Sequence, residues 1–247
     1  MIYRTFNPYT TIGIQHTAGM DAIAAVFAPA GVPTNINFAI EIAKYVGGIY
    51  YPPLPLSVKL NIQIQSTVAY TLNGYSNSII KLDSGGYATN LGQLYFVQKL
   101  LTSVVKSPIN EIQDVILDIE DNITKSDLSF DEQVPLLMAA EVGKQNIAYW
   151  LPKIATPGDW TIFFDSNRSI NTSNIPYWVA ASMEGTLLMA KRSTTYPLID
   201  GSTVPNAGVD LAAALSGSIA AGAGKVLYRI IRRITSLNQG SMDGCEC

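Results

Sequence analysis

The chain has 247 residues, with 16 basic and 19 acidic side chains and a formal net charge of −3. Only 14% of residues are charged, against roughly 25% in an average soluble protein, so no global positive field exists to hold a nucleic acid, which is excluded as a partner. The two cysteines, Cys245 and Cys247, sit at the extreme C-terminus and rule out a disulfide scaffold. His16 is the single histidine, which rules out multi-histidine metal sites; no metal or cofactor is expected.

The first residues carry a single Arg and no apolar run of roughly 7 to 15 residues ending in a cleavage site, so no signal peptide is readable. The protein is therefore expected in the cytoplasm by default, and in the envelope or outside the cell if a leader has been removed. Ala22 to Ile40 is interrupted by Pro29, Pro33, Asn35 and Asn37, and Leu60 to Ile80 by Gln, Asn, Ser and Thr, so neither reads as a membrane span.

In chain order, Thr11 to Phe27 places Ile12, Ile23, Val26 and Phe27 at helical intervals. Thr34 caps a second segment in which Phe38, Ile42, Tyr45, Val46 and Ile49 recur three and four apart. From Leu54 to Gln65 the period becomes two: Leu54, Leu56, Val58, Leu60, Ile62 and Ile64 alternate with polar or Pro positions, which reads as a strand. Asn73-Gly74 between Val68 to Leu72 and Tyr75 to Leu82 suits a hairpin turn. The expectation is a small antiparallel sheet over residues 54–82.

Helical signals return at Asn90, where Gln93 follows three residues later and Leu94, Val97, Leu100, Leu101, Val104 and Val105 form a stripe to Lys106. After Pro108, Ile109, Ile112, Ile116, Ile119 and Ile123 mark one helix face. Ser129 with Glu132 forms a second capping box, opening a helix to Trp150 that Pro152 stops. Trp160 to Phe164 reads as a short strand or extended loop. Pro176 opens a helix to about Lys191, and a last helix runs from near Asn206 to Leu237. The whole is expected to be α+β, a mainly helical single domain over 1–240 with a flexible tail over 241–247.

No standard catalytic fingerprint is present. Gly222 to Val226 fails as a phosphate loop, because Ile219 stands where its first Gly should be and Val226 replaces the magnesium-binding hydroxyl. The run from Glu111 to Glu132 holds eight carboxylates against Lys125 alone. It reads as the solvated face of an amphipathic helix rather than a cation site. His16, five residues before Asp21, is a general-base candidate, with a structural hydrogen bond as the favoured role.

The C-terminal region is the most unusual. Leu211 to Gly224 is uncharged, and Ala213, Gly217 and Ala221 recur every fourth residue beside a second row of Ser216, Ala220 and Gly224, spacing that lets helices approach closely. Lys225, Arg229, Arg232 and Arg233 then share a helical face, a candidate contact with an anionic membrane surface or a protein partner.

Asn7-Pro8-Tyr9, Ile12-Gly13, His16, Gly19 and Asp21 resemble the NPY…IG…HN.GLD opening of a group of proteins found mostly in Bacteroidetes, and Leu128 to Trp150 and Asn206 to Gly224 resemble later pieces of the same group. Thr17 departs from it, an Asn being usual after the His. The resemblance implies no activity and no site residue. The sequence thus points to a non-enzymatic binding or self-associating protein, associated with a membrane or envelope through its C-terminal helix. The alternatives are a hydrolase using His16, Asp21 and an unidentified nucleophile, and a secreted antibacterial-type effector.

Overall fold

A computed structural model describes residues 7–29, 41–42, 45–46, 58–72, 90–156, 158–164, 170–190 and 211–240. These form α1 (Thr10–Phe27), α2 (Val58–Leu72), α3 (Leu91–Lys106), α4 (Ile112–Thr124), α5 (Phe130–Lys153), α6 (Ile175–Ala190) and α7 (Leu211–Gly240), with 3-10 turns at Gly158–Phe163 and Thr172–Asn174. Ile42 and Val46, both buried and helical, belong to the segment expected after Thr34. The C-terminal tail lies outside the described residues.

Helix α6 is the axle of the bundle. Every residue in it except Tyr177 is buried, including the polar Ser182, Glu184 and Thr186. Helices α7, α5, α3 and α2 surround it, α1 bridges α5 and α7, and α4 bridges α3 and α5. The outer helices carry one apolar stripe each: Phe96, Val97, Leu100, Leu101 and Val104 on α3, and Ile112, Ile116, Ile119 and Ile123 on α4. Their termini are set by local chemistry. Asn90 accepts a hydrogen bond from Gln93 N at 2.9 Å, and Glu132 returns to Ser129 N at 2.8 Å in a capping box.

The expected sheet is corrected. Among the described residues there is no strand, and Val58–Leu72 is a helix. The alternation misleads because residues four apart satisfy both a period of two and one helical face. Ile64 and Val68 are fully buried, with Thr67 and Thr71 completing the inward stripe, whereas Ile62 is 58% exposed although the alternation puts it on the same side as Ile64. The Asn73-Gly74 turn and residues 54–57 and 75–82 lie outside the described residues. Trp160 to Phe163, read as a strand or extended loop, belongs to a 3-10 turn that seats Trp160 and Phe163 in the core.

Glycines bring the helices together where side chains would hold them apart. A Cβ at Gly185 would overlap the Gly217 backbone, and one at Gly217 would lie 2.5 Å from the Gly185 carbonyl oxygen. A Cβ at Gly13 would lie 2.8 Å from Glu141 O, fixing the approach of α1 to α5. At Gly143 it would lie 2.7 Å from the Met183 sulfur of α6.

Two outcomes are expected. Ile64→Asp should abolish cooperative unfolding while Ile62→Asp changes stability by no more than about 0.5 kcal/mol, measured by urea denaturation; equal effects would contradict the inward stripe of Ile64, Thr67, Val68 and Thr71. Gly185→Ala and Gly217→Ala should each cost about 1–3 kcal/mol or more by overpacking, and the double variant should fall short of the sum because both act on one contact.

Candidate functional site

His16 lies on the inner face of α1, fully buried against α7. Its Nδ1 is 3.1 Å from Ser218 Oγ. A serine hydroxyl has one proton, and Ser218 donates it to Leu215 O at 2.7 Å, so His16 Nδ1 is the donor to Ser218 and Nε2 is a bare acceptor. In that tautomer the imidazole cannot take the serine proton. Burial also pushes its pKa down to about 3, which keeps the ring neutral.

Asp21 does not complete a pair with His16. Five residues along a helix is a rotation of about 140°, which turns Asp21 outward, where it accepts a hydrogen bond from Tyr149 Oη at 2.7 Å and pairs with Lys153 at 3.2 Å. Tyr149 in turn accepts from Trp160 Nε1 at 2.6 Å. Burial and the Asp21 bond push the Tyr149 pKa up, so the phenol keeps its proton.

A polar interior continues from His16 between α5 and α6. Asn146 Nδ2 donates to Ser182 Oγ at 2.7 Å, and Ser182 donates to Trp178 O at 3.1 Å. One turn further, Trp150 and Trp178 meet with ring centroids 4.8 Å apart and planes tilted by 54°, and Trp160 meets Trp150 at 5.4 Å. All three tryptophans of the chain share this cluster. No feature of their spacing in sequence announces it.

The acidic run divides between core and surface. Glu120 turns inward to Lys144 at 2.7 Å, and Lys144 also holds Glu141 at 2.6 Å. Asn7, from the motif that carries the resemblance, donates to Glu120 and, at 2.9 Å, to Leu137 O, anchoring the start of α1 to α4 and α5. Asp121 pairs with Lys125 at 2.5 Å. Among the described residues no group of three or more His, Cys, Asp or Glu could hold a metal ion.

Of the C-terminal site residues, Lys225 is only 7% exposed and donates to Thr71 O and Leu72 O at 2.8 and 3.0 Å, capping α2. The side chains of Arg229, Arg232 and Arg233 lie outside the described set. Ala213, Gly217 and Ala221 are buried, and both Gly217 and Ala221 face Gly185 of α6, so this row packs two helices of one chain. No described helix is long and apolar enough to cross a membrane.

A surface that the sequence reading missed lies where α3 and α5 begin. Leu91 is 84% exposed, Tyr95 56% and Phe130 69%. Leu91 and Tyr95 stand one turn apart on α3, and Phe130 is the first residue of α5. The two helix starts are tied by Asn90 Nδ2 to Glu132 Oε1 at 2.5 Å and Gln93 Nε2 to Glu132 O at 2.9 Å. Asp127 and Asp131 are exposed beside them. The available signal was that Leu91 and Tyr95 fall off the Leu94 to Val105 stripe.

The depressed His16 pKa has a definite linkage. Between about pH 3 and 6.5 the unfolded chain binds a proton that the folded chain refuses, so stability is complete above 6.5 and is lost as pH falls. The His16→Phe variant should lack about 2 kcal/mol of the loss that the wild type shows between pH 7 and 5, read from urea unfolding of both proteins at each pH. Comparison with protein-family models, with curated proteins and with solved structures returns no match for this chain.

Proposed function

We propose that this is a non-enzymatic binding protein whose recognition surface is the paired start of α3 and α5, and that its partner is a basic protein segment with apolar anchors. The observation that carries this reading is the grouping of Leu91, Tyr95 and Phe130, three large apolar side chains exposed at one end of a bundle that buries its other apolar stripes. Asp127 and Asp131, exposed within three residues of Phe130, favour a cationic partner and would speed encounter. The capping bonds that tie the two helix starts hold the platform in place before binding, which lowers the ordering cost.

Supporting evidence against a role centred on the C-terminal helix is specific. The first cation of its basic stripe, Lys225, is spent on the α2 carbonyls, and the small-residue row is spent on α6. Self-association is a case of the same reading when the partner is another copy.

Titration of the full chain with an amphipathic helix of Lys and Leu should give saturable binding that weakens with salt. Leu91→Asp with Phe130→Asp should reduce affinity at least about tenfold, the effect of roughly 1.4 kcal/mol. Asp127→Lys with Asp131→Lys should remove most of the salt dependence. Absence of binding at low salt, or equal binding by the Leu91→Asp, Phe130→Asp variant, would reject the surface. Co-sedimentation with anionic vesicles that is lost on Arg232→Glu with Arg233→Glu, yet kept by the α3/α5 variant, would return the function to the C-terminal helix.

A further inference from the structure

Four polar atoms in the interior joining α1, α5, α6 and α7 have no hydrogen-bond partner among the described residues: His16 Nε2, Asn146 Oδ1, Trp150 Nε1 and Trp178 Nε1. Their residues are at least nine-tenths buried. Two of the atoms are N–H donors, and two are acceptors in the tautomer that Ser218 imposes. A buried donor or acceptor without a partner is rare in a folded protein, and four in one region call for a ligand that both gives and takes hydrogen bonds.

The residues that carry three of them are close together. Asn146 and Trp150 are four apart on α5, and Trp178 and Ser182 are four apart on α6. The Asn146–Ser182 bond of 2.7 Å and the Trp150–Trp178 ring contact of 4.8 Å mark the two ends of the same interval. That interval is one helical turn, about 5–6 Å. His16 adjoins its other side, because Gly222 of α7 faces both Ser182 Oγ and, across a would-be Cβ contact of 3.5 Å, His16 Cε1.

We infer that the α5–α6 interface is a binding site for sealed ordered water, held by the indole N–H groups of Trp150 and Trp178 and by the Asn146 side-chain carbonyl, with His16 Nε2 as an acceptor at its α1 side. The four atoms belong to neutral groups, so an ion would enter without a counter-charge from them, at heavy cost. The α5–α6 interval is closed at both ends by direct contact, Asn146 to Ser182 at 2.7 Å and Trp150 to Trp178 at 4.8 Å between ring centroids, so the fitting ligand is of water size. A buried water makes about three hydrogen bonds, and two indole donors with one amide acceptor supply that number. The water then completes the hydrogen bonding that Ser182 and Ser218 begin, and joins the tryptophan cluster to the α1–α7 contact.

The test is an NMR measurement on the full chain labelled with nitrogen-15, the indole signals being assigned from single Trp→Phe variants. Cross-peaks from long-lived water to the Nε1–H of both Trp150 and Trp178 are expected, and a crystal structure should place water oxygens within about 3.2 Å of these nitrogens. Asn146→Leu should remove the cross-peaks and shift tryptophan emission to shorter wavelength, as an apolar side chain displaces the water. Should that variant fail to fold, the wild-type cross-peaks and the crystallographic waters decide alone. Absence of both in the wild type overturns the site. So does release, on denaturation, of a stoichiometric small organic molecule seen by mass spectrometry, which would replace water as the ligand.

Discussion

The contact of Gly185 with Gly217 is the constraint around which the molecule is arranged. It sets the separation of α6 and α7 at a distance where either residue's Cβ would collide with the opposite helix. With α7 held that close, its Ser218 and Gly222 reach His16 on α1, and its Lys225 reaches the last carbonyls of α2. Spreading the pair would weaken three interfaces together. The short approach also gives dense van der Waals contact, with the Met189 side chain of α6 lying against Gly217 of α7.

The polar groups of the interior serve this arrangement. Lys144 neutralises Glu120 and Glu141, and Asn7 ties the entry of α1 to the same carboxylate. Breaking such a network by removing one partner is expensive, because it leaves a buried charge uncompensated. His16 follows the same logic by another route: burial keeps it neutral, and its one protonated nitrogen is committed to Ser218. Groups that would carry chemistry on an open surface are here committed to joining helices.

The proposed recognition surface lies outside this interior network. The start of α3 and the start of α5 together present Leu91, Tyr95 and Phe130, the grouping on which the proposed function rests, whereas Ile14, Val26 and Ile62 are exposed on α1 and α2. Caps that end a helix cleanly also fix the direction of the residues next to them. Asn90 precedes Leu91, and Ser129 precedes Phe130. The same local bonds that start these helices thus hold the exposed side chains on a stiff base.

What the sequence by itself determined is the local part. Asn90 with Gln93, Ser129 with Glu132, the isoleucine face of α4 and the small-residue row of α7 are patterns over three to four residues, and each is realised where the spacing places it. Caps and stripes depend on groups that are neighbours along the chain, so they can be read without knowing the fold. The tertiary structure decided the rest. Val58–Leu72 carries an alternation compatible with either period, and only packing against α6 and α7 selects the helix and turns Ile62 outward. Lys225 reads as a surface cation until the end of α2 is seen beside it, and Gly217 reads equally as a contact between chains or within one until Gly185 is found opposite. The partners in these cases are more than thirty and up to 154 residues apart, so what each residue does is a property of the contact and not of its neighbours in the chain.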